Sequence, residues 1–194
     1  RLPAIERGAV GLVEIPPGTP ALTPFLPSGL IAPFPALASA ASGLGHVTIV
    51  LDADGTLRQH LPVIRFGDTY YMSLAVEALR QWLDVPRSQV RLLIGDGLTV
   101  GDLRIPLGTD MSIGIDPYGV YRALPSISMI DLLRGEESAL RRVEGRIAVV
   151  GATATGVGDR YRSSYAASQP GVGYFAATID NLVSGRFLRQ GLDV

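Results

Sequence analysis

The sequence predicts an α/β fold: a mixed sheet with an antiparallel hairpin, flanked by helices and preceded by a Pro-rich N-terminal arm. Three observations carry this. Strand-like runs alternate with helix-period runs after Gly45. Asp54-Gly55 stands between two apolar-rich runs, 47–51 and 57–66, and Asp-Gly there signals a hairpin because Gly accepts the positive φ of the turn. Residues 15–51 carry no formal charge, yet they hold Pro16, Pro17, Pro20, Pro24, Pro27, Pro33 and Pro35. Each proline removes a backbone donor, so this stretch reads as an extended arm and not as a membrane-spanning helix. At 194 residues, 47% hydrophobic and 18% charged, the chain suits one domain. Residues 1–44 form its first strand and arm, and 45–194 its core.

In order, residues 9–15 read as a short buried strand and 36–42 as a short helix ended by Gly43 and Gly45. Residues 72–83 place Met72, Ala75, Val76, Leu79, Trp82 and Leu83 on one helical side, and Pro86 stops that helix. Residues 90–94 form a strand, and short strands joined by turns continue to Gly119. Ser128 with Asp131 has the form of a helix-start box, with Gly135 as terminator. A second short helix over 136–143 has acids first and Arg141 and Arg142 last, as the helix dipole favours. A buried strand over 147–150 runs into a Gly-rich loop. The closing helix, 173–184, turns Phe175, Ile179, Leu182 and Val183 inward.

Composition removes several function classes. The net charge of -1 supplies no basic field for nucleic acid. All 17 basic residues are Arg, which excludes a Lys nucleophile or Schiff base, and the absence of Cys excludes thiolate chemistry and disulfides. The chain begins at Arg1 with no signal segment and reads as a piece of a longer protein.

Asp52-Ala-Asp54-Gly55 resembles the first motif of haloacid-dehalogenase-like phosphohydrolases, where the first Asp attacks phosphate and the second is the acid/base. That chemistry needs a cation on the transferring group and carboxylates gathered at parallel strand tips. A turn between paired strands, with Asp54, Gly55 and Arg58 as a structural staple, is the stronger reading. An EF-hand register fails because Val50 and Leu61 would fall at its first and last ligand positions. The segment Gly151-Ala-Thr-Ala-Thr-Gly156-Val-Gly158-Asp159 is neither a Walker loop nor a dinucleotide fingerprint. Gly151 and Gly156 would let it pass close to the sheet, while Thr153, Thr155 and Asp159 offer polar groups to a ligand. Arg160 and Arg162, in a loop mixing donors and aromatics, are the further binding candidates. His46 and His60 would project from opposite faces of the hairpin, which argues against a shared metal site. No cofactor is predicted.

The order of segments is similar to a known family. Gly45-His46-Val47 leads to Asp52-x-Asp54-Gly55-x-x-Arg58, then Pro62 and Ser73-Leu74-Ala75. Ile127-Ser128-x-x-Asp131-Leu132-Leu133-x-Gly135 follows, then Arg146-Ile-Ala-Val-Val-Gly151-Ala-Thr, Gly156-Val-Gly158-Asp159, Pro170-Gly171-Val172 and Ala176-x-x-Ile179-Asp180-Asn181-Leu182. Together these resemble the type-two CHASE domain, the cyclase- and histidine-kinase-associated extracellular sensory module. The resemblance implies a non-catalytic, ligand-binding input domain on the extracytoplasmic (periplasmic) face of a bacterial membrane. It implies a small-molecule or peptide signal, a homodimeric receptor, transmembrane helices, and a cytoplasmic output such as a nucleotide cyclase, histidine kinase or serine/threonine kinase. It also implies further chain before this point. Where the family commonly has an acidic residue and a His after Pro170-Gly171-Val172, this chain has Gly173 and Phe175.

Overall fold

A computed structural model describes residues 5–19, 25–108, 110–116, 124–154 and 156–188. The arm contributes β1 (Leu12–Glu14) and α1 (Pro35–Ala40). After it come β2 (Gln59–His60), β3 (Val63–Phe66), β4 (Thr69–Met72) and α2 (Leu74–Trp82). A meander of β5 (Val90–Leu93), β6 (Gly97–Val100) and β7 (Leu103–Pro106) leads to β8 (Ile113–Gly114). Then come α3 (Met129–Leu133), α4 (Glu137–Val143), β9 (Arg160–Tyr161), β10 (Gln169–Pro170) and α5 (Gly171–Val183).

The main sheet has the order β1-β5-β6-β7 and is mixed, as expected: β1 runs parallel to β5, and the meander pairs antiparallel. Val90, Leu92, Leu98, Val100 and Ile105 point from it into the core, while Arg91 and Arg104 point to solvent, the alternation a one-sided sheet requires. α2 and α5 pack on each other, and Ala75, Val76, Leu79, Ile179 and Leu182 close the same core. α2 begins where Ser73 accepts a hydrogen bond from the Val76 amide, 3.2 Å. It ends at Leu83, with Asp84 turned to φ 53°.

Several expectations are corrected. The antiparallel hairpin is β3–β4, with Val63 opposite Met72 and Phe66 opposite Thr69, and not residues 47–51 with 57–66. The chain does turn at Asp52–Gly55, but the two flanks part. The Leu57 amide donates to the Arg162 carbonyl at 2.9 Å, and β2 pairs with β8, so other partners claim the downstream flank's backbone groups. Residues 47–51 lie outside any ladder, anchored where the His46 amide bonds the Met72 carbonyl. Residues 147–150 are likewise outside a ladder. Ile147 and Val149 pack on the core, while Val150 is 73% exposed, so this segment is half-buried. β1 is an edge strand and not a buried one. Met72 belongs to β4, and Trp82 and Leu83 are exposed because α2 is already leaving the core in its last turn. α2 instead buries Glu77, whose carboxylate takes the Arg80 guanidinium (Oε2 to Nε 2.9 Å, Oε1 to Nη2 2.7 Å). Ser128 starts α3 through its backbone alone, and Val183 lies at the rim of α5.

Candidate functional site

The acidic turn is built locally. The Gly55 amide donates to the Asp52 carbonyl (2.8 Å) and the Asp52 amide to the Thr56 carbonyl (3.0 Å), with Gly55 at φ 74°. The Asp54 carboxylate then accepts the Thr56 amide at 3.0 Å. Arg58 closes the figure: Nη1 reaches Asp52 Oδ2 (2.7 Å) and Asp54 Oδ1 (3.0 Å), and Nη2 reaches Asp54 Oδ2 (2.7 Å). The Arg58 hydrogen bond, backed by the Thr56 amide, holds the Asp54 carboxyl far below the ordinary range. The Arg58 guanidinium is raised in turn by Asp54 and then Asp52. Both carboxylates are therefore occupied by a residue four or six positions away. Asp52 follows an unladdered segment and not a central parallel strand, so the phosphohydrolase reading finds no support in the geometry.

This turn is joined to one of the loops singled out as ligand-binding. Thr56 bridges Arg162 in parallel, and the Leu57–Arg162 backbone bond fixes the two segments side by side. Within the loop, Arg160 is committed to Ser168 (Nε to Oγ 2.7 Å, Nη2 to the carbonyl 3.2 Å), and β9 pairs antiparallel with β10. Buried Ser163 accepts the Tyr165 and Ala166 amides through Oγ, which shapes the turn. Arg162 is exposed and has no side-chain partner among the described residues. Thr153 and Asp159 are exposed in the preceding loop, and Thr155 lies outside the described residues. Burial, followed by Asp159, raises the Tyr161 hydroxyl pKa.

The glycines earn their places differently. A Cβ on Gly151 would lie 2.6 Å from the Val172 Cβ, so the loop can cross the head of α5 only as glycine. Gly156 holds a turn at φ 79°. Asn181 on α5 is buried and works as a clamp. Its Oδ1 accepts the Asp116 amide (2.8 Å), and its Nδ2 donates to the Asp116 carbonyl (3.2 Å), as a neighbouring strand would.

A buried polar chain went unseen in the sequence. His60 is fully buried between Tyr174 Oη (Nδ1, 2.8 Å) and Ser73 Oγ (Nε2, 2.8 Å), and Tyr174 Oη donates to the Gln59 carbonyl at 2.9 Å. His46 is not on an opposing face. It bridges Ser73 in parallel, its charge bears on His60, and its buried Nε2 has no hydrogen-bond partner among the described residues. Burial lowers the His60 pKa to about 3, with His46 adding to it, and burial lowers His46 to about 4. The sequence signal was the scarcity of histidine: the chain has two, each followed by an apolar residue, Val47 and Leu61.

Among the described residues, no three His, Cys, Asp or Glu side chains converge as a metal ligand set, and no helix is long and apolar enough to cross a membrane. Comparison with curated proteins and with solved structures gave no match. The profile of one family, the CHASE2 domain, matches residues 4–193, essentially the whole sequence. The chain thus belongs to the CHASE2 domain family, the extracellular sensory domains of signalling receptors.

Proposed function

We propose that this chain is the non-catalytic, signal-receiving module of a bacterial transmembrane receptor, held at the periplasmic face of the membrane. A nucleotide cyclase, histidine kinase or serine/threonine kinase is its output in a homodimeric assembly. The arm of 1–44 and the core of 45–194 act as one unit. The signal, a small molecule or peptide, meets the face formed by the acidic turn and the 153–165 loops. The observation that carries this choice of face is the Leu57–Arg162 backbone junction, which locks two polar loops into one surface while leaving the Arg162 guanidinium exposed. A ligand acts by binding one arrangement of these loops better than another. Gly171 donates its amide to the Asp159 carbonyl, so the loop's end is tied to the head of α5, which relays the change.

The test is deletion of residues 45–188 from the full receptor. Loss of signal-dependent output supports the reading, and unchanged regulation overturns it. Arg162→Ala in the intact receptor should weaken the response to its stimulus while leaving basal output in place.

A further inference from the structure

We infer that the proton is a signal this domain reads: the two histidines of the sequence, gathered about Ser73, form an acid-released latch that fastens α5 to the start of α2. The inference rests on the sensory reading above and deepens it.

The Tyr174–His60–Ser73 chain has one proton arrangement that leaves none of its own donors idle. Tyr174 gives its hydroxyl proton to the Gln59 carbonyl, so its oxygen accepts His60 Nδ1–H. His60 Nε2 is then an acceptor and receives the Ser73 hydroxyl proton, while Ser73 Oγ accepts the Val76 amide. The chain runs from the α2 N-terminus through β2 to α5. A second proton on His60 has one place to go, Nε2. There it faces a hydroxyl already donating toward it, so the Ser73–His60 bond must break or reverse. His46 is similarly limited. Its Nδ1 accepts the Thr48 amide at 3.3 Å, and its Nε2 faces no acceptor among the described residues.

Among the described residues, nothing around the pair compensates a positive charge. His60 is faced by Tyr174 and Phe175 from α5, by Ser73 at the head of α2, by Ile113 from β8 and by His46. His46 lies against the backbone of Met72 and Leu74 and against Thr48. The charged side chains of the surrounding elements are engaged elsewhere: Glu77 with Arg80 on α2, Asp180 with Arg186 beyond α5, Arg65 with Asp68 at the β3–β4 turn, and Arg58 with Asp52 and Asp54 ahead of β2. The two imidazoles also oppose each other's protonation. An uncompensated charge inside such a site favours the conformation that admits water.

The closed latch keeps both rings neutral down to about pH 4, whereas a water-exposed histidine titrates at 6.5. Each ring therefore shifts the closed–open balance about tenfold per pH unit below 6.5. Two rings over two units give about 10⁴-fold, roughly the range that takes a two-state element from nearly all closed to nearly all open.

The test is amide hydrogen exchange of the 194-residue chain across about pH 7 to 4.5, corrected for intrinsic exchange, on the native protein and on His46→Gln. Deprotection on acidification is expected in the first turns of α5 and α2 while β5, β6 and β7 stay protected. The opening should take up two protons in the native chain and one in His46→Gln. Unchanged α5 protection, loss of the meander together with α5, or a two-proton response surviving in His46→Gln would each overturn the latch. Those outcomes leave the receptor deletion test untouched, so the two readings fail separately.

Discussion

Tyr174, His60 and Ser73 show how much rests on single polar atoms in this interior. Each hydrogen bond is modest in net terms, but a buried donor or acceptor left alone costs about 1–3 kcal/mol. Tyr174→Phe removes one hydroxyl and strands both His60 Nδ1–H and the Gln59 carbonyl. It should lower stability by about 2–3 kcal/mol in urea unfolding, against well under 1 for Tyr165→Phe on the exposed loop. The histidines also set a pH slope. Their native pKa values, about 3 and 4, lie below the 6.5 of an exposed ring, so the unfolded chain binds more protons between those limits. Their stabilisation is complete above pH 6.5 and declines as pH falls toward 3, each ring losing about 1.4 kcal/mol per unit while it remains neutral in the fold. Chemical unfolding at pH 7 and pH 5 checks this: equal midpoints would contradict it, and His60→Gln should flatten the difference.

α5 is the element on which the fold closes. Its inward face carries Tyr174, Ile179 and Leu182, and Asn181 extends that face into a hydrogen-bonded clamp on the segment after β8. Asn181→Ala leaves the Asp116 amide and carbonyl without those partners and opens a small void, so a loss of about 2–4 kcal/mol is expected. Asn181→Asp should be nearly as damaging, because it keeps the acceptor for the amide but replaces the donor to the carbonyl. The α5 head has a different constraint. Gly151→Ala drives a methyl into Val172 at 2.6 Å, so either the loop or the helix must move. If α5 relays a signal from the 153–165 loops, this variant should alter receptor output at a temperature where the domain remains folded by circular dichroism.

At the scale of the whole molecule, the arm works as part of the fold. Arg7 donates to the Ala38 carbonyl (2.9 Å), the Val10 amide reaches the Tyr70 carbonyl (2.9 Å), and β1 covers the edge of β5. Removing residues 1–16 would bare that edge, where unpaired backbone groups invite pairing with another chain. The truncated domain should melt earlier and scatter light on standing at concentrations where the 194-residue chain stays clear. Equal melting and equal scattering would mean the arm adds nothing to the core.

Local chemistry was legible in the sequence because it is written in neighbouring residues. Asp-Gly set the turn, Arg58 four residues beyond Asp54 stapled it, the apolar spacing from Ala75 to Leu79 set α2, and the ordered motifs identified the family. Pairing was not legible. Residues 47–51 and 147–150 have strand composition, yet whether a strand gains a ladder depends on which distant backbone reaches its edge first. Here Arg162 and β8 took the groups that a simple hairpin would have used. Nor was the meeting of His46, His60 and Tyr174 legible, since 114 residues separate His60 from Tyr174 and no periodicity spans that distance. The sequence by itself determined the α/β class, the acidic turn and the family. Tertiary structure alone decided which strands pair and which polar groups lose water together, because burial and long-range hydrogen bonding depend on the closed chain and not on any stretch of it.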